Sequence, residues 1–322
     1  MIDIERDPAT LPLFLQVTRE LARPVNQDLH ALTQALLAQF GDAIAAMLFY
    51  GSCLRTHTTD DGLVDLYILV EQYHDIHPGK LAQCANALLP PTVFLFKATN
   101  PAGVAIHAKC AILSLGDFEK GTQRWFQSYL WARFAQPSRL VFSRAACSRL
   151  RVERAVCSAV LHMINETLPL QAPVFNSETF WTRALRLTYD TELRPENSER
   201  PALISRQNQG YLAELLAAAS KATGARYVGS MADDLYMNHS TTAQRQRQAR
   251  RWQARRVQGR LLNVLRLLKS LFTVKRAGVD YAIWKLERHW GEPIAQPERL
   301  RRYPLVYCWP LLWKLLKQRR NS

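Results

Sequence analysis

Residues 43–70 read AIAAMLFY, GSCLRTHTTDDG and LVDLYILV, and the fold turns on how those three pieces are interpreted. Ala43–Tyr50 is apolar and too short for a helix, so it reads as a buried strand. Gly51-Ser52 breaks the run. Leu63–Val70 follows as a second strand, apolar apart from one carboxylate, Asp65, and Tyr67 two positions on. Working outward, Thr92–Phe96 (TVFLF) reads as a third strand, with helix-compatible sequence at Lys80–Leu89 before it. Val104–Leu115 is again strand-like, and residues 11–40 have helical spacing. Strand, loop, strand, helix, strand predicts an α/β domain over residues 1–144.

Beyond that point the pattern changes. Ala145–Leu168 and Ser177–Tyr189 are apolar on one face, Asp190–Glu199 is a polar loop, and Gln207–Thr223 is again helical, which predicts a helical second domain over 145–242. Ala243–Arg256 (AQRQRQARRWQARR) is basic and Gln-rich and reads as a hinge. Val257–Arg276 then reads as an amphipathic helix. Leu261, Leu262, Val264, Leu265, Leu268, Leu271 and Phe272 make its apolar face, while Asn263, Arg266, Lys269 and Thr273 lie opposite. Trp and Tyr residues mixed with cations and prolines complete a basic tail over 243–322.

The charge is as unevenly distributed as the pattern. Of a net charge of +15, residues 241–322 carry 20 Lys/Arg against 4 Asp/Glu, which leaves 22 basic and 23 acidic residues for the first 240. A helix with Leu and Phe on one side, cations on the other and aromatics beyond is suited to the headgroup layer of an anionic membrane more than to nucleic acid. The acidic N-terminus is unlike a signal peptide, and no run reaches the ~18–20 apolar residues that span a bilayer. A peripheral location on a membrane face is therefore expected. The plain alternative is that the leucines pack on the body and only the cations face outward. Six scattered cysteines show no metal or disulfide spacing.

A Gly-Ser turn at a strand end frees backbone N–H groups and a hydroxyl to hold phosphates, and an Asp on the neighbouring strand can hold Mg²⁺ against the same phosphates. Tyr50-Gly51-Ser52 followed by Asp65 resembles the polymerase-β-like nucleotidyltransferases, although their strand usually bears a second acid where Tyr67 stands here. A closer resemblance is to the mitochondrial-type phosphatidate cytidylyltransferases of the translocator-assembly-and-maintenance family. Tyr50-Gly51-Ser52 and Val64-Asp65 match that family, as do Glu71 at the strand end, Lys109 in KCAILS and Arg133 in YLWARFAQP. Tyr189, Glu192, Arg194 and Glu196 in YDTELRPE match it too, so the likeness spans roughly residues 45–215 and returns weakly at Gly259–Ser270.

The resemblance implies a polymerase-β-like domain that transfers CMP from CTP to phosphatidic acid with Mg²⁺, at the cytoplasmic face of an inner membrane, without nucleic acid as partner. Under it, Tyr50, Gly51 and Ser52 hold the CTP phosphates, and Asp65, helped by Glu192 or Glu71, holds the metal. Lys109, Arg133 and Arg194 neutralise phosphate charge. The structural alternatives are an edge-strand lysine at 109, a surface ion pair at 133 and a loop salt bridge between 192 and 194. The competing functions are nucleotidyl transfer to a soluble acceptor, or an inactive relative that binds RNA. His74 and His77 are three apart but sit in a loop with no Cys partner, and His57 reads as a solvated loop residue.

Overall fold

The short apolar runs become the interior strands of a mixed five-stranded sheet. The computed structural model describes residues 7–56, 63–77, 79–192, 199–224, 226–230 and 232–273. His57, Arg194, Glu196 and the aromatic tail from residue 274 lie outside them. The chain opens with α1 (Leu11–Leu21), α2 (Gln27–Phe40), β1 (Ile44–Tyr50), α3 (Ser52–Thr56) and β2 (Val64–Val70). It continues with α4 (Lys80–Leu88), β3 (Thr92–Thr99), β4 (Ala105–Ser114), α5 (Leu115–Gln123), α6 (Trp131–Phe134) and β5 (Ser138–Ser143). A mainly helical region follows: α7 (Ala146–Thr167), β6 (Val174–Phe175), α8 (Ser177–Tyr189), α9 (Arg200–Gln207) and α10 (Gln209–Ala222). Strands β7 (Tyr227–Ser230) and β8 (Leu235–Asn238) precede a long helix, α11 (Thr242–Thr273).

The sheet runs β3-β4-β2-β1-β5, with β2 and β4 parallel and the other pairs antiparallel. Because side chains alternate along a strand, the pleat sorts them into two cores. Met47, Phe49, Leu66, Ile68, Cys110 and Ile112 pack with Leu29, Leu32 and Leu36 of α2. Leu48, Tyr50, Tyr67, Leu69, Ala111 and Leu113 face the other way, into a larger core with α1, α6, α7, α8 and α10. Asp65 and Lys109 fall in the second set by the same alternation, on the side covered by the helical region. Every residue of β1 is buried, as its unbroken apolar run requires.

The expected hinge is instead the first half of α11. Gln248, Trp252, Arg255 and Gly259 recur at helical spacing and are all buried. The pattern looked solvated because two of these four are polar, yet Glu166 at the end of α7 receives them. Arg255 Nη2 lies 2.6 Å and Arg251 Nη2 3.2 Å from its carboxylate, and Gln248 Nε2 donates to it at 2.8 Å. The Trp252 indole N–H donates to the Glu166 carbonyl at 2.9 Å. Arg255 has no exposed surface, and its guanidinium lies against Trp252, Phe126 and Trp131.

Farther along α11, among the described residues, apolar side chains of the expected apolar face turn outward and cations of the opposite face turn inward. Val257, Leu261, Val264 and Leu265 are exposed, at 72, 57, 42 and 41%. Arg266 and Lys269, placed by the sequence on the polar side of the helix, point into the body. Arg266 Nε donates to Pro90 O at 2.9 Å, and Lys269 Nζ donates to Leu89 O at 2.6 Å and Pro91 O at 2.8 Å. Burial, then the charge of Arg266, brings the Lys269 ammonium down to about 7, against the three oxygens that favour it charged. Among the described residues no helix is long and apolar enough to cross a membrane.

Candidate active site

Asp65 stands at the start of β2, where the antiparallel register pairs it with Tyr50 and the parallel register pairs it with Lys109. Gly51 directly follows β1 with φ +95°, a conformation that side chains strain to adopt. A Cβ placed on it would come within 2.5 Å of Asp65 Oδ2. The turn and the carboxylate therefore face each other, and glycine is what permits the contact. Gly51→Ala is expected to cost about 1–2 kcal/mol from backbone strain alone, beyond any displacement of Asp65. Denaturant unfolding measures this, and unchanged stability would contradict the turn as described.

Lys109 Nζ is 3.5 Å from Asp65 Oδ1, with side chains 27% and 22% exposed. Since β4 lies between β3 and β2, Lys109 is on an interior strand and not at a sheet edge. Arg133, on α6, is only 10% exposed and so is no surface ion pair. Its Nη1 donates to the Tyr67 hydroxyl at 3.2 Å and to Tyr129 O at 3.1 Å, and its Nη2 is 3.9 Å from Glu192 Oε1. Tyr67, standing where the general superfamily bears its second acid, is fully buried and packs against Tyr50 and Phe134 at 5.3 and 5.1 Å. Burial raises its phenol well above the usual range. Position 67 thus supplies an acceptor for Arg133 and no metal-binding charge.

The structure joins Tyr50, Gly51, Asp65, Lys109, Arg133 and Glu192 into one neighbourhood, with Ser52 exposed at the start of α3. It separates Glu71 from them. Glu71 lies six residues beyond Asp65, about 20 Å along an extended strand, and pairs with Arg151 at 3.1 Å. It is therefore excluded as a second ligand beside Asp65. Arg194 is outside the described residues. Among the described residues no three His, Cys, Asp or Glu side chains gather as a metal cluster. Mg²⁺ in phosphate-handling sites usually takes only one or two carboxylates and fills the rest of its shell from substrate and water. Asp65, partly exposed and beside the Gly-Ser turn, fits that donor set.

Arg266 is the residue the sequence assigned elsewhere. Its guanidinium carbon lies 4.2 Å from the centre of the Tyr129 ring, which Arg133 approaches at 4.3 Å. Burial pushes the Tyr129 phenol up, but Arg133, Arg266 and Lys109 together pull it below its ordinary value. Gly259 carries α11 across this region, since a Cβ there would meet Thr191 O at 2.6 Å, one residue from Glu192. The only signal in the sequence was the weak family likeness at Gly259–Ser270. His77 packs against Asn86 at 3.2 Å, and His74 lies 3.2 Å from Asp75.

A separate cavity of about 700 Å³ opens along the outer face of α8, between Arg183, Arg186, Arg206 and Arg256, and none of the site residues lines it. No model of a known protein family matches the chain, and no curated protein matches it either.

Proposed function

We propose that the sheet face around Asp65 carries out nucleotidyl transfer, as a nucleotidyltransferase of the polymerase-β-like kind. The observation that carries the reading is the Gly51–Asp65 contact, which sets the Gly-Ser turn directly against a partly exposed carboxylate, with Lys109 on the neighbouring strand. Within that class we infer a phosphatidate cytidylyltransferase resembling the translocator-assembly-and-maintenance family. It would convert CTP and phosphatidic acid into CDP-diacylglycerol and pyrophosphate. The order of the family-like motifs from Tyr50 to Glu196 supports this choice of substrates.

In this reading an oxygen of the phosphatidic acid phosphate attacks the α-phosphorus of CTP, the bond to the bridging oxygen breaks, and pyrophosphate leaves. The attacking group is already ionised near neutral pH, so no strong general base is required. Gly51 and Ser52 seat the polyphosphate, and Lys109 and Arg133 hold fixed positive charge where negative charge builds up. Arg194 keeps a similar role on its motif alone. Asp65, helped by Glu192, would hold Mg²⁺, which would supply further charge neutralisation. The exposed stripe of Val257, Leu261, Val264 and Leu265 supports a peripheral setting on a membrane, and the cytoplasmic face of an inner membrane follows from the family resemblance alone.

The test is incubation of the full chain with Mg²⁺, each labelled nucleoside triphosphate in turn, and vesicles containing phosphatidic acid. A labelled lipid product with CTP is expected. Absence of labelled lipid with every nucleotide would end the reading.

A further inference from the structure

We infer that Arg266, brought in from α11, is a phosphate-binding residue that completes an anion receptor with Arg133 and Lys109 over the Tyr129 ring. The inference rests on reading the Asp65 neighbourhood as a phosphate-handling site, and it adds a residue from the C-terminal helix to that site. Two guanidinium groups approach one phenol ring, at 4.2 and 4.3 Å, from elements more than a hundred residues apart in sequence. They repel each other, and the charges around them do not balance. Lys109 pairs with Asp65 and Arg133 with Glu192, whereas Arg266 has no carboxylate within 4.0 Å among the described residues. A half-buried cation with no carboxylate in direct contact favours an anion arriving from outside.

The hydrogen bonds say which guanidinium can grip it. Arg133 spends Nη1 on Tyr67 and on Tyr129 O. Arg266 is held by Nε on Pro90 O and by Nη2 on Gln127 Oε1, at 2.9 and 2.5 Å, and its Nη1 has no hydrogen-bond partner among the described residues. The group is thus fixed at one edge and left with N–H donors at the other, the arrangement that serves bidentate contact with a phosphate. Burial lowers the Arg266 pKa although Tyr129, Tyr67 and Glu192 act to raise it, which agrees with a charge that no carboxylate contacts directly. The phosphate has two sources in the proposed reaction, the polyphosphate of the nucleotide and the monoester of the acceptor.

Calorimetric titration of the full chain with inorganic pyrophosphate and, separately, with glycerol 3-phosphate distinguishes those sources. Arg266→Gln is expected to weaken one of the two by about tenfold to a hundredfold, and the probe that suffers more identifies the phosphate held. Arg260→Gln removes an exposed charge from the same helix and is expected to change either affinity less than about twofold. Arg266→Lys keeps the charge but loses the fork, so with an unchanged melting temperature it is expected to recover binding only in part.

The inference is overturned if the unaltered chain binds neither probe, if Arg266→Lys and Arg266→Gln both bind as the unaltered chain does, or if Arg260→Gln loses as much as Arg266→Gln. Its failure and that of the enzymatic reading separate cleanly. Arg266-dependent pyrophosphate binding without CMP transfer sinks the enzyme and keeps the receptor. CMP transfer with both Michaelis constants unchanged in Arg266→Gln does the reverse.

Discussion

Asp65→Asn is expected to lower CMP transfer by about a thousandfold or more, with little change in thermal unfolding. The proposed metal contributes several kcal/mol of transition-state stabilisation, and every ~1.4 kcal/mol lost is tenfold in rate. Asparagine keeps the shape under Gly51 but removes the charge that holds a cation. The folding cost should be small because Lys109, which loses its partner at 3.5 Å, is 27% exposed and can turn toward water. Initial rates with CTP and phosphatidic acid vesicles, together with circular-dichroism melting, measure both halves. A variant that keeps its turnover removes Asp65 from the chemistry. One that loses turnover only by unfolding shows the carboxylate to be structural.

The largest stability effect is expected at Glu166. Glu166→Ala leaves Arg255 buried, with no exposed surface, and stripped of the carboxylate now 2.6 Å away. Breaking a buried pair from one side costs about 3–5 kcal/mol, which is large against the ~5–15 kcal/mol of a typical domain. Replacing both partners, Glu166→Gln with Arg255→Met, should recover much of that loss, since no unpaired buried charge remains. Chemical denaturation of the single and double variants tests this, and a single variant as stable as the unaltered chain would contradict the buried pair.

Acid should act on the same contact. Burial pushes the Glu166 carboxyl up, but Arg255, Gln248 and Arg251 together hold it below its usual value. A carboxyl whose folded pKa is lowered stabilises the fold fully above the ordinary carboxylate range and loses that contribution as pH falls through its lowered value. The unaltered chain is therefore expected to lose stability on acidification more steeply than the double variant. Because α11 also brings Gly259 against Thr191 and Arg266 over Tyr129, loosening its first half should disturb the site as well.

Much of the fold was legible because its central strands are buried on both sides. Ala43–Tyr50 and Leu63–Val70 foreshadow β1 and β2 to within a residue, and Ser177–Tyr189 coincides with α8. What escaped notice is short or polar. β5 reads SRLVFS, and its Arg139 is buried only because Glu20 of α1 meets it at 2.6 Å. β6, β7 and β8 have two to four residues each, too few for a period to register. The first half of α11 looked like a solvated hinge because nothing local announces that Glu166 waits for its arginines.

By itself the sequence determined which residues form the central strands and, through the two-residue period, that Asp65 and Tyr67 share one side of theirs, whereas the register that sets Tyr50 and Lys109 beside Asp65 came from the tertiary structure. It also determined which residues of the last helix lie together. Only the tertiary structure decided that Arg266 and Lys269 turn into the body, Arg266 over Tyr129, while Val257, Leu261 and Leu265 turn outward. Periodicity fixes neighbours on a helix but not which side is buried. A cation goes inward only where distant carbonyls and an aromatic ring are already in place to receive it.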